Sequence, residues 1–215
     1  MMLLCLLISA GDGMQMLPPP PALRPEPAVV VLGRFQPLHK GHTYLLSKAA
    51  QFRDAEHPEL ALRIMLGSSN REQSPENPWD WEERLEMVTS WVASEGLANV
   101  EILAVPDLGN EEKWVEHASA WHGDAGILVV SHAQTEELYS AAGWSIFRVE
   151  LDERESLEGW RVRQTLKMMS TISDEEAFRM VLSESVEDVI IDWLLAEPER
   201  IKRLAFLGPS VEHVG

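Results

Sequence analysis

Residues 33–42 read Gly-Arg-Phe-Gln-Pro-Leu-His-Lys-Gly-His, a run that sets two imidazoles and two cations in one short loop and opens into the helical pattern Thr43-Tyr44-Leu45-Leu46. His39 and His42 are three apart, so in the first turn of a helix both rings project from one face. Gly33 lets the chain turn tightly as it leaves a strand, and Gly41 lets backbone approach a ligand closely. Open N–H groups and the helix dipole favour an anion at such an entry, and Arg34 and Lys40 add fixed positive charge. This combination suits the binding of several phosphates. Two other readings of the same residues stay open. A histidine beside a strand end is often structural, and His-x-x-His is also a fragment of a zinc site, which needs three or four ligands; His117 and His122, five apart on a predicted helix, are the only reserves that look near. The sequence has no G-x-x-x-x-G-K-[ST] and no G-x-G-x-x-G after its first strand, so kinase-like and dinucleotide-dehydrogenase readings lose their main support.

A loop of this kind needs a strand before it and a helix after it. The short apolar runs Ala28–Leu32, Leu60–Leu66, Val100–Val105 and Ile127–Val130 read as strands, mostly buried on both faces. Helical stretches lie near 42–54, 79–95, 111–122 and 133–142, and a further short strand is expected around Trp144–Val149. Strand and helix in turn predict an α/β fold, a Rossmann-like parallel sheet of about five strands flanked by helices. Its ligands bind beyond the carboxyl ends of the strands, where residues 33–42 fall. Residues 159–206 read as a helical C-terminal segment, with Val186, Val189, Ile190, Trp193 and Leu194 on one face and a break at Glu197-Pro198. Asn77 followed by Pro78 reads as a helix cap and first helical residue. The expected organisation is one domain over 28–207 between a flexible or polyproline-like tail, 1–27, and a short tail, 208–215. Met14 and Met16 are alternative starts within the first tail.

The rest of the composition makes that loop conspicuous. The chain has 215 residues with 18 Lys+Arg against 35 Asp+Glu, a net charge of −17. Such a balance argues against nucleic acid and anionic membrane as partners. It also matches what is expected of a protein from a salty habitat. Only five cations are Lys, so an anionic substrate must be met by a local cluster of Arg, His and backbone N–H. The single Cys5 rules out an intramolecular disulfide and a cysteine metal cage, which points to a reducing, cytoplasmic setting. The apolar start Met1–Ile8 is too short to span a bilayer and lacks the basic flank of an export signal.

GRFQPLHKGH resembles the His-x-Gly-His signature of the nucleotidyltransferase superfamily, in the form found in archaeal-type nicotinamide mononucleotide (NMN) adenylyltransferases. Further stretches are similar to that family in the same order. They are Gly67-Ser68-Ser69, then Glu76-Asn77-Pro78-Trp79 with Glu83-Arg84, then Val105-Pro106-Asp107-Leu108 with Trp114-Val115-Glu116-His117. Ser183-Glu184-Ser185-Val186 with Glu199-Arg200-Ile201-Lys202 follow. The resemblance covers nearly all of 28–207. It implies an enzyme that transfers the AMP moiety of ATP to NMN, with Mg²⁺ screening the phosphates, and a homo-oligomer.

The resemblance also implies roles. His39, His42, Arg34, Lys40 and Arg163 would be catalytic; Gly33, Phe35, Gln36, Gly41 and Gly159 would join the first four and Arg163 around ATP; Ser68, Asp107 and Trp114 would hold NMN, the Trp114 ring stacking on nicotinamide. No metal ligand is singled out. Two departures stand out. The second phosphate motif of the superfamily reads Ile-Ser-Gly/Ser-Thr-x-x-Arg; here Leu157-Glu158-Gly159-Trp160-Arg161-Val162-Arg163 keeps the Gly and the Arg but has Glu158 and Trp160 at the hydroxyl positions. Ser131-His132-Ala133 lacks the family's Asn. Another acceptor, such as FMN or phosphopantetheine, and a non-catalytic nucleotide-binding homologue therefore remain as alternatives.

Overall fold

The aliphatic runs pair into one sheet. A computed structural model describes residues 18–151 and 158–208; Met1–Ile8, the two alternative starts and residues 209–215 lie outside them. The first half runs β1 (Ala28–Gly33), α1 (Lys40–Glu56), β2 (Ala61–Leu66), α2 (Trp81–Ser94), β3 (Val100–Ala104) and α3 (Trp114–His122). Then come β4 (Gly126–Val130), α4 (Ala133–Ala141), β5 (Ser145–Arg148), α5 (Gly159–Met169), α6 (Glu175–Leu182), α7 (Asp188–Ala196) and α8 (Glu199–Phe206). All pairings are parallel, in the order β3-β2-β1-β4-β5. The α/β expectation from the alternating pattern holds, and five strands are present. Among the described residues no helix is long and apolar enough to cross a membrane.

Side-chain alternation along the strands gives the sheet two apolar faces. Val29, Val31, Leu62, Ile64 and Leu66 pack with α1, α2 and the C-terminal helices, whereas Ala28, Val30, Met65, Leu128 and Val130 pack under α3 and α4. The connections run outward from β1 to β3, and the chain then returns to place β4 on the other side of β1. That reversal opens a crevice at the carboxyl ends of β1 and β4. The loop after β1 emerges there.

Three local expectations are corrected. Helix α2 begins at Trp81, and its cap is Asp80, which with Glu83 forms a reciprocal capping box; Asn77 bonds with Ser74 instead. Helix α3 starts at Trp114, after turns at 111–113. The C-terminal segment is four short helices, interrupted near 170–174 and 183–187 as well as at Glu197-Pro198. Asp174 caps α6 by accepting from the Ala177 N–H, which fixes one of the added breaks. On the N-terminal side, Arg24 pairs with Asp124, and the Glu26 carbonyl accepts from Arg63, so residues 24–27 lie against the body.

Candidate active site

The loop after β1 folds back on itself. Phe35 takes a left-handed backbone (φ 51°) yet is only 1 % exposed, a conformation that costs an aromatic residue about 1–3 kcal/mol and persists only where packing enforces it. Its ring covers Gly33: a Cβ there would stand 2.8 Å from Phe35 Cζ. The ring edge also meets His42, with centroids 4.9 Å apart. The Gln36–Pro37 peptide is cis.

His39 and His42 come together, their ring centroids 3.8 Å apart. His39 is the N-cap of α1, and its Nδ1 accepts the Gly41 N–H at 3.2 Å. The neutral ring therefore carries its proton on Nε2, which faces the start of α5. Burial holds the His39 pKa well below 6.5, helped by His42 and Arg163. Burial lowers His42 to about 4; the Pro37 carbonyl opposes this, while Arg34 and Arg163 add to it. Both rings are thus neutral near pH 7. His39 can donate its Nε2–H to a phosphate oxygen without a buried charge of its own, whereas the single N–H of the neutral His42 is given to the Pro37 carbonyl.

The entry of α1 differs from expectation. Its first N–H groups are all taken: Lys40 N–H donates to Ser185 O, Gly41 N–H to His39 Nδ1, and His42 and Thr43 N–H to His39 O. The dipole remains, but anion binding falls to side chains and to α5. The 7 % exposed Arg163 of α5 donates from Nη1 to the Gln36 carbonyl at 2.7 Å. A Cβ on Gly159 would lie 3.2 Å from Arg163 Nη1 and 3.5 Å from His39 Nε2. Glycine there lets the second motif close on the first. The structure thus joins His39, His42, Gly159 and Arg163, with Arg34 exposed at the rim and near enough to act on His42.

Other candidates are placed elsewhere. The Lys40 ammonium donates to the Ser183 carbonyl at 2.6 Å, toward the turn between α6 and α7. The Gln36 amide is spent on the backbone of Trp79, accepting from its N–H and donating to its carbonyl. His117 Nε2 bonds to Pro106 O, and His122 is buried against Tyr139. Among the described residues no group of three or more His, Cys, Asp or Glu side chains could hold a metal. In the sequence Arg84 stands out only as part of the Glu83-Arg84 stretch that is similar to the family. Its guanidinium donates to the carbonyls of Arg34, Gly67, Ser68 and Asp80, pinning the β1 and β2 loops to α2. The available signal was its place on the buried stripe Arg84, Met87, Val88, Trp91.

The carboxyl ends of β2 and β3 carry the remaining candidates. Ser68 has a left-handed backbone (φ 56°). Asp107 accepts from Arg71 at 2.8 Å, and its backbone exchanges two hydrogen bonds with the Asn70 amide. Trp114, at the first turn of α3, is half-buried against the lower core and lies beside His117 and Tyr139.

A sequence profile described as Cytidylyltransferase-like matches residues 30–173, from β1 through α5. The chain belongs to the cytidylyltransferase-like family. Similar relatives include the nicotinamide-nucleotide adenylyltransferase of Haloarcula marismortui, 28% identical over 83% of this chain and 86% of that one. That of Halorubrum lacusprofundi is 28% identical over 81% and 90%. Among solved structures, a bifunctional NMN adenylyltransferase/ADP ribose pyrophosphatase from Francisella tularensis is similar in fold, with a TM-score of 0.53 at 19% identity. The match covers 79% of this chain and 53% of that one, so the present chain spans about half its length. Both halves of the cationic cluster lie within the region matched to the cytidylyltransferase-like family.

Proposed function

We propose that the chain is an adenylyltransferase of NAD biosynthesis, joining the AMP moiety of ATP to NMN with release of pyrophosphate. The observation that carries this reading is the meeting of His39, His42 and Arg163 at the crevice beyond β1 and β4, where the amino end of α5 closes on the loop after β1. The 5′-phosphate oxygen of NMN attacks the α-phosphorus of ATP, the bond from that phosphorus to the bridging oxygen breaks, and pyrophosphate departs. Phosphate is already a nucleophile, so alignment and charge stabilisation are the protein's tasks. His39 Nε2–H donates to a phosphate oxygen at the transferring centre, and His42, packed against the His39 ring, contacts the phosphates beside it. Arg163, Arg34 and the α5 entry hold the triphosphate and the departing pyrophosphate. Gly33, Phe35 and Gly41 shape the loop, and Gln36 clamps it.

The acceptor is NMN, a reading supported by the relatives named above and by a half-buried indole at the polar mouth of α3. Trp114 stacks on the nicotinamide, while Ser68 and Asp107 bind the same nucleotide. A divalent cation, magnesium, arrives on the ATP phosphates, as such ions do with mainly phosphate and water ligands; when bound it neutralises phosphate charge. We place the reaction in the cytoplasm. A homo-oligomer is supported by the apolar side chains Met180, Val181 and Phe206 exposed on α6 and α8. The test is the purified chain with ATP, Mg²⁺ and NMN, which is expected to yield NAD⁺ and pyrophosphate in equal amounts. His42→Ala is expected to lower kcat roughly 100-fold or more at unchanged melting temperature. No NAD⁺ from the unaltered chain, or full turnover by the variant, would overturn the reading.

A further inference from the structure

The turn that opens α5 departs from the hydroxyl-bearing motif it resembles, and the phosphate reading leaves Glu158 and Trp160 without a role. A carboxylate at this point is a liability. Glu158 directly precedes Gly159, the residue that abuts His39 and Arg163, so its charge stands next to groups that would hold a polyphosphate. Glu158 is also the N-cap of α5, where a side-chain oxygen ordinarily accepts from the first-turn N–H groups. Here it accepts none.

The carboxylate is instead engaged by two side chains of the first turn. Its Oε2 accepts the indole N–H of Trp160, and the same oxygen lies 3.8 Å from Arg161 Nε. The Arg161 guanidinium in turn lies over the Trp160 ring, 4.6 Å from its centroid, which orients both partners. The ion pair alone is exposed and weak; the part-buried indole bond is the stronger tether. Two residues that replace or adjoin a lost hydroxyl thus occupy the charge that replaced the other.

We propose that Trp160 and Arg161 are positioning residues for ATP: they tie the Glu158 carboxylate to side chains of the first turn of α5, so that this carboxylate does not compete with the triphosphate for the helix entry, Arg163 and the histidines. The inference rests on the reading of this cluster as an ATP site and is indifferent to the identity of the acceptor. It makes the departure from the motif a matched replacement.

The experiment measures the Kd of a non-hydrolysable ATP analogue with Mg²⁺ by calorimetry, and the KM values for ATP and NMN, on the full chain. Trp160→Phe keeps a ring but removes the N–H. It is expected to weaken the analogue and raise KM for ATP roughly three- to tenfold, with KM for NMN unmoved. Adding Glu158→Gln is expected to restore the analogue Kd to within about twofold of the unaltered chain, because packing lost with the indole is the same in both variants and only the freed charge differs. An unmoved Kd in Trp160→Phe, or a weakening that persists in the double variant, would overturn the proposal. Should Trp160→Phe not fold, Arg161→Gln replaces it, with a smaller loss that Glu158→Gln must also cancel. Failure of the unaltered chain to bind the analogue would instead overturn the ATP site itself.

Discussion

Arg84 is a cation at pH 7 although burial draws its pKa down to about 10, and among the residues assigned to ATP it bonds only the backbone carbonyl of Arg34. Its side chain is nevertheless what fixes the loop after β1 relative to the loop after β2, through four carbonyls, those of Gly67 and Ser68 in buried bonds and those of Arg34 and Asp80 in part-buried ones. Lysine keeps the charge but presents a compact ammonium that cannot span the same set. Arg84→Lys is expected to lose about 2 kcal/mol of stability, since at least one buried carbonyl is left unpaired. Turnover is expected to fall more than tenfold as Phe35 and His39 shift. Denaturant titration and steady-state kinetics check this; a variant equal to the parent in both would remove Arg84 from the site's support. The contrast with the histidines shows what was legible. His39 and His42 declare themselves by type and spacing, because a three-residue interval at a helix start leaves little freedom. Gln36 does not: its partner, Trp79, is 43 residues away, and no local pattern says which way the amide points.

Helix α1 illustrates the same limit for an element. Its existence and its place after a strand follow from the pattern Thr43-Tyr44-Leu45-Leu46 and from the alternation of runs, and the five strands follow from their aliphatic composition. The state of its first turn does not follow, because the carbonyl that takes the Lys40 N–H belongs to Ser185. The Lys40 ammonium, the Ser183 carbonyl, and the Thr43 hydroxyl donating to Glu187 at 3.0 Å complete a latch between α1 and the turn leading into α7. That makes Lys40 a tie between elements. Lys40→Met is therefore expected to lower stability by about 1 kcal/mol, the size of an ordinary hydrogen bond, because solvent at this exposed carbonyl weakens the contribution of the charge. The ATP analogue Kd should stay within roughly threefold, less than the loss of a direct charge-assisted phosphate contact. A tenfold or larger loss of ATP affinity at unchanged stability would return Lys40 to the phosphates.

For the whole molecule, the distribution of charge matters more than the sum of −17. Five arginines, Arg53, Arg63, Arg84, Arg163 and Arg200, are buried, whereas no Asp or Glu among the described residues is. The acidic groups are exposed or half-buried, and although many pair with Arg or Lys they outnumber the cations, so the compact state carries a net mutual repulsion. Added salt shortens the reach of that repulsion, from about 10 Å at 0.1 M to about 3 Å at 1 M. It acts in the opposite sense on ATP, since Arg34 at the rim is exposed and screened while Arg163 is buried. The thermal midpoint is thus expected to rise by several degrees between 0.1 and 1 M KCl, roughly 1–2 kcal/mol for a chain of this size. Over the same range KM for ATP is expected to rise only about two- to fivefold, because a buried cation is shielded from bulk ions. Melting curves and initial rates across a KCl series test both. A midpoint that falls with salt would mean that the acidic surface is paired rather than self-repelling, and a KM that climbs a hundredfold would place the triphosphate on surface charge instead of in the crevice beside Arg163.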